Sequence, residues 1–254
     1  LKKIASFIPS HTTSREEVSK YFNKDNSLSF FLKSIDKVYF CFHNVLDIDY
    51  CRRIAFNIKD NLKNVSFLLY KTPSFNLAFA SHLVALKKEG FTDLLYLPDD
   101  SACTTKDTNL INDVLNFYKK TKDISFVSLA IKSTQLTKKN IKSYKTLHLN
   151  KKLTVSFFEP QSFKEINLLD VINKPFLANI DYLLKLCDKT YSELLSKQEG
   201  DYYLRSQFLK TPFKILCLSF RLIRCFYYTS PDKIVRRREL HLMRKLLQHK
   251  KHLI

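Results

Sequence analysis

Glycine is nearly missing from this chain: Gly90 and Gly200 are the only two in 254 residues, where ordinary usage is about 7%. Neither G-x-G-x-x-G nor G-x-x-x-x-G-K-[ST] can be written from two isolated glycines, so every glycine-rich phosphate cradle is excluded. Common dinucleotide-binding enzymes, P-loop NTPases and ordinary protein kinases go with it. The six cysteines form no C-x-x-C pair and no zinc-finger spacing. Most lie inside apolar stretches, where a free thiol behaves as a small hydrophobe. They are expected to be reduced core residues of a cytoplasmic protein. The opening Leu1-Lys2-Lys3-Ile4 shows neither an apolar h-region nor a small-residue cleavage site, so no signal peptide is expected there.

What is present is a globular composition, 45% hydrophobic and 26% charged, with 43 Lys+Arg against 24 Asp+Glu and a net charge of +19. Short apolar runs alternate with helical patterns. Strands are predicted at Ile4–Ile8 (ending at Pro9), Val38–Phe42, Val65–Tyr70, Asp93–Leu97, Ile124–Ile131 and Leu153–Phe158. Helices are predicted from the capping box Ser14/Glu17 onward, over 49–58, and through Phe75, Phe79, His82, Leu83 and Leu86 until Gly90 stops the run. Further helices are predicted over 109–118, 162–172 and 177–195, and the Lys/Ser/Thr-rich stretch 132–152 reads as a loop. This alternation implies an α/β fold, a mostly parallel sheet with helices on both faces. Such sheets bind ligands beyond the carboxyl ends of their strands, where the strand order reverses.

The segment Leu97-Pro98-Asp99-Asp100 therefore stands out, because it sets two adjacent carboxylates just past an apolar strand. A divalent cation on a nucleotide diphosphate needs only one or two protein carboxylates, the phosphates and waters completing its shell. Pro-Asp-Asp is also ordinary turn chemistry. Together with the N-terminal β/α run and the helix before strand four, the segment resembles the glycosyltransferase A (GT-A) fold over roughly residues 1–130. In that family a short acidic motif of the DxD or EDD kind ends the fourth strand. Here its first acid is replaced by Pro98.

The resemblance implies a Rossmann-like GT-A domain over residues 1–204 that transfers a sugar from a UDP-, GDP- or dTDP-linked donor with Mn²⁺ or Mg²⁺. Asp100 would be the metal ligand with Asp99 beside it, and Pro9, Ser10, His11, Thr12 and Asn44 would hold the nucleoside. Lys71 would meet the diphosphate. For an inverting transfer, Glu199-Gly200-Asp201-Tyr202-Tyr203-Leu204-Arg205 loosely follows the family's Glu-Asp-x-x-Leu-x-x-Arg pattern. That makes Asp201 the candidate base, Glu199 the second and Glu159 the third.

Residues 205–254 carry 13 Lys/Arg against Asp232 and Glu239, which is +11 of the total +19. The stretch 212–228 is apolar but interrupted by Lys214, Arg221 and Arg224, too many cations for a helix that spans a membrane. Beyond Pro231, bulky apolar residues interleave with Arg236, Arg237, Arg238, Arg244 and Lys245. The whole region reads as a basic, amphipathic, helical extension suited to the anionic inner face of a membrane, with a glycan or lipid-linked acceptor nearby. No nucleic-acid-binding signature is present and no nucleic-acid partner is expected. The competing readings are a basic nucleic-acid-binding protein, in which Asp99-Asp100 is only a turn, and a catalytically silent membrane-associated scaffold.

Overall fold

A central strand, β1 (Ile4–His11), organises the molecule. It runs parallel to β2 (Val38–His43) on one flank and to β4 (Asp93–Tyr96) on the other, and β3 (Val65–Tyr70) extends the parallel half beyond β2. The second half is mixed. β9 (Phe176–Asn179) lies antiparallel between β4 and β6 (Phe126–Lys132), and β10 (Ile215–Leu218) pairs parallel to β6. The hairpin β7 (Lys145–His148) and β8 (Thr154–Phe158) closes that side, giving a nine-stranded sheet ordered β3-β2-β1-β4-β9-β6-β10-β8-β7. A separate two-stranded ribbon joins β5 (Ser101–Cys103) to β11 (Ile223–Cys225). This computed structural model describes residues 2–11, 26–43, 49, 62, 64–70, 75–98, 101–122, 124–137, 142–158, 174–187 and 215–225.

Helices cover both faces. On one, α1 (Asn26–Lys33) and α3 (Thr108–Lys120) share a core with Ile4, Ile8, Leu95 and Leu97. On the other, α2 (Phe75–Lys88) and α5 (Ile180–Leu186) pack on Ala5, Phe7, Leu94 and Tyr96, and the short α4 (Ser133–Thr137) adds Leu136. Strand residues divide between the two cores because successive side chains point to opposite faces. Helix α3 forms where Asp107 caps it, its Oδ1 accepting from the N–H groups of Asn109 (3.2 Å) and Leu110 (3.3 Å). Its buried stripe is Leu110, Ile111, Val114, Leu115 and Tyr118. Helix α2 stops as the sequence predicts. Gly90 takes φ +81°, its N–H bonds the Lys87 carbonyl and the Phe91 N–H bonds that of Leu86, a Schellman closure.

Three expectations need correction. The stretch 177–195 does not begin as a helix: its first apolar residues belong to β9, and the helix starts only after Asn179, whose side chain accepts from the Tyr182 N–H at 3.1 Å. The supposed loop 132–152 contains α4 and β7. Within the C-terminal stretch read as a membrane-facing helix, residues 215–218 form β10, every one of them buried, and 223–225 form β11. Four-residue apolar runs carry no usable period, and the cations Lys214 and Arg221 flank the Ile-Leu-Cys-Leu run instead of lying within it. The sheet thus draws a strand from beyond residue 204. The predicted helices at 14–22, 49–58 and 162–172 and the basic stretch after Pro231 lie outside the described residues, except for Asp49, which is helical. Cys41, Cys187 and Cys217 are free, buried thiols, in line with the sequence reading.

Two polar groups inside the fold are tied to structure. At the amino end of β4 the fully buried Asp93 accepts from the Tyr118 hydroxyl (2.6 Å) and the Thr92 hydroxyl (2.6 Å). The Lys2 ammonium stands 3.8 Å from the same carboxylate and 3.7 Å from the Tyr118 ring centre. Burial lowers the Lys2 pKa, with Asp93 opposing it, and pushes the Tyr118 phenol well up. Tyr118→Phe should destabilise the protein by about 1–3 kcal/mol, the usual cost of a buried acceptor losing its donor, with little change in packing. Urea denaturation measures it, and an unchanged midpoint would refute the role given to this hydroxyl.

Beneath β1, His82 of α2 is 1% exposed, with its Nε2–H donating to the Ser6 carbonyl at 3.1 Å and its ring against Phe7 and Tyr39. Burial depresses its pKa from 6.5 to about 4. Between those two values the unfolded chain binds a proton that the folded one refuses. Stability is therefore full above pH 6.5 and falls as the pH drops toward 4, by about 3 kcal/mol from this group. Denaturation midpoints at pH 7, 5.5 and 4.5 should show that loss in the wild type and a shallower one in His82→Phe; equal slopes would count against it.

Candidate functional site at the carboxyl edge of the sheet

The chain passes from β1 to β2 to β3 on one flank and returns to place β4 on the other, so the strand order reverses between β1 and β4. Main-chain groups show what happens there. In β1 the Ser6 N–H bonds Lys37 on the β2 side (2.9 Å), whereas the Phe7 carbonyl accepts from Leu97 on the β4 side (3.1 Å). Alternation puts the next β4-facing nitrogen at Pro9, which has no hydrogen to donate. Pairing with β4 ends at Phe7↔Tyr96, while pairing with β2 continues through His11↔His43. The strand does not stop at Pro9 as the sequence suggested. Proline lacks only the bond that faces the departing β4, and β1 runs on along β2. Four parallel carboxyl ends reach this edge, and there β1 parts from β4.

Of the predicted nucleoside-binding residues, Pro9, Ser10 and His11 are in β1 at this edge. Thr12, Asn44 and Lys71 follow β1, β2 and β3 directly in the chain and lie outside the described residues, as do Glu159, Glu199 and Asp201. Asp99 and Asp100 also lie outside them. Their neighbours do not: the Ser101 N–H donates to the Pro98 carbonyl at 3.1 Å, between the end of β4 and the start of β5. Ser101 stands opposite Cys225 in the β5–β11 ribbon. Among the described residues no three His, Cys, Asp or Glu side chains gather as a metal site.

The structure adds a cleft that sequence reasoning missed. β4 is antiparallel to β9 and β9 to β6, so β6 and its parallel partner β10 also point their carboxyl ends to this edge. There the β6–β10 register jumps from Cys217↔Ser128 to Leu218↔Lys132, a bulge that turns residues 129–131 out of the ladder. The freed groups find other partners. The Ile131 N–H bonds the Ser128 hydroxyl (3.2 Å), the Leu129 carbonyl accepts from Leu222 (2.9 Å), and the Ala130 carbonyl accepts from the Arg221 Nε (2.9 Å). The Thr104 hydroxyl bonds the Arg221 carbonyl, tying the end of β5 to the β10–β11 turn.

Between these segments is a cleft of about 580 Å³ whose polar lining is Thr104, Thr105, Lys132, Thr134, Gln135 and Arg221. Leu110 and Phe220 supply its apolar wall. Lys132 directly follows the strand predicted over 124–131, a weak signal available in the sequence. Reading 132–152 as a loop and 212–228 as a membrane face concealed how three distant segments meet.

No protein-family profile matches the sequence, and no curated protein does. Solved structures with a similar course of chain include the 4-diphosphocytidyl-2C-methyl-D-erythritol synthase of Anaerococcus prevotii, 16% identical, covering 85% of this chain and 88% of that one at a TM-score of 0.49. A UDP-glucose pyrophosphorylase complexed with UDP-glucose is 13% identical over 87% of this chain and 92% of its own, with a TM-score of 0.49. Residues 1–349 of Staphylococcus aureus TarS are 15% identical, covering 87% of this chain and 59% of that one at a TM-score of 0.48. Likenesses of this degree name no family for the chain.

Proposed function

We propose that this protein is a nucleotide-sugar-dependent glycosyltransferase that moves a sugar from a UDP-, GDP- or dTDP-linked donor to a glycan or lipid-linked acceptor. The observation that carries the reading is the opening at the strand reversal, with two adjacent carboxylates in the connection that leaves β4 there. Pro9, Ser10, His11, Thr12 and Asn44 would line the nucleoside side, and Lys71 would meet the diphosphate.

Asp100, helped by Asp99, would hold Mg²⁺ or Mn²⁺. The donor set fits, because two hard carboxylate oxygens suffice for either ion when a diphosphate completes the shell. When bound, such an ion neutralises charge on a departing diphosphate. In an inverting transfer the acceptor oxygen forms its bond to the anomeric carbon as the bond to the diphosphate breaks. The hydroxyl proton passes to the Asp201 carboxylate, with Glu199 as the second candidate.

The donor reading is tested by thermal melting with UDP-, GDP- and dTDP-sugars, each with and without Mn²⁺. One donor should stabilise the protein, by ~2.7 kcal/mol at a hundred times its Kd. The Mn²⁺-dependent part of that gain should vanish in Asp100→Ala. No stabilisation by any donor would overturn the reading.

The basic stretch beyond Pro231 supports a second element of the proposal, contact with the anionic cytoplasmic face of a membrane. Among the described residues no helix is long and apolar enough to cross one. Removing residues 231–254 should abolish sedimentation with phosphatidylserine-containing vesicles at low salt and leave donor binding unchanged. Equal partitioning of both proteins would remove the membrane contact from the proposal.

A further inference from the structure

We infer that the cleft at the ends of β6 and β10 takes a phosphoryl group, so that the acceptor of this transferase is a phosphorylated one. The inference rests on the transferase reading and adds what that reading leaves open, the chemical class of the second substrate. Two cations, Lys132 and Arg221, line the cleft, and no acid stands among its described lining residues. The Arg221 guanidinium is fixed by its Nε on Ala130, a carbonyl exposed by the β6 bulge. A planar guanidinium held in one orientation suits the tetrahedral oxygens of a phosphate, and an ammonium adds a compact second charge. The Thr105 and Thr134 hydroxyls and the Gln135 amide NH2 add donors, the Gln135 Oε1 itself accepting from the Lys132 N–H at 3.0 Å.

The cleft is not where the donor's diphosphate would sit. Asp99 and Asp100 precede β5, whereas Thr104, the first of its residues to line the cleft, follows it. Ser101, which follows the acidic pair in the chain, is already three strand steps, ~10 Å, from Thr104. Asp99 and Asp100 would hold the divalent cation that neutralises the donor's diphosphate, whereas two protein cations without a described acid beside them call for an anion of their own. The volume, about 580 Å³, falls in the range of small-molecule sites and exceeds the needs of a lone phosphate. Leu110 and Phe220 offer the remaining ligand an apolar face, which fits a sugar ring or a prenyl chain equally. The shared chemistry is the phosphoryl group.

Matched probes on the full chain separate the sources: glucose 6-phosphate against glucose, and farnesyl diphosphate against farnesol, by isothermal titration at low salt. At least one phosphorylated member should bind ten-fold or more tightly than its neutral partner. Lys132→Gln should remove most of that margin, and Lys132→Arg should restore it. UDP-glucose, or whichever donor binds, should keep its affinity within two-fold in both variants, which also shows that they fold. The pair that responds identifies a sugar phosphate or a lipid diphosphate as the acceptor class. Equal binding of phosphorylated and neutral probes, or a margin indifferent to Lys132, overturns the inference and leaves donor binding standing. If no donor binds the wild type, the transferase reading falls and the acceptor role with it.

Discussion

β1 has to serve two neighbours with alternating main-chain groups, and that obligation sets the architecture around it. Residues 4 and 6 bond toward β2, Phe7 toward β4, and the alternation then assigns the β4-facing position to a residue without an N–H. The sheet stays closed on one flank of β1 and parts on the other. Helix α2 locks the arrangement from below, where His82 donates to the Ser6 carbonyl and burial favours its neutral form. A cation buried at that spot would meet a desolvation cost that outweighs the opposing pull of Glu89.

Polar groups are distributed unevenly between the two ends of the sheet. At the amino end the buried Asp93 and Tyr118 bond each other, with Thr92 and Lys2 closing over the same carboxylate from the surface side. At the carboxyl end polar groups line open space, with Lys132 and Arg221 on a cleft wall. Buried polar groups that are fully paired hold a fold together, whereas those that face a cavity are available to a ligand. The contrast accords with the proposal that the carboxyl edge is the working end.

The N-terminal half was legible in the sequence because its elements are long and punctuated. β3 and the end of α2 fall where predicted, and Gly90 closes α2 with the positive φ that a glycine best supplies. The second half was not. β9 and β10 are runs of four apolar residues, too short to show a period of 2 or 3.6, and both pair with strands far away in the chain. α1 follows Asp25, a favoured N-cap residue, but its eight residues are too few for a helical period to stand out. For the site, strand ends pointed to Pro9, Ser10 and His11. The cleft depends on a bulge and on the meeting of residues near 104, 132 and 221, which no local pattern announces.

β10 reaches the sheet last, yet it occupies an interior position, between β6 and β8. Among the described strands it alone connects the β7–β8 hairpin to the rest of the sheet. During vectorial synthesis the nascent chain must therefore hold a gap: one lateral edge of β6 and one of β8 wait, unsealed, for a segment near residue 215. Such edges invite pairing with foreign strands. A polypeptide arrested shortly before that segment would have every other strand of the large sheet and still lack the one that joins its two parts.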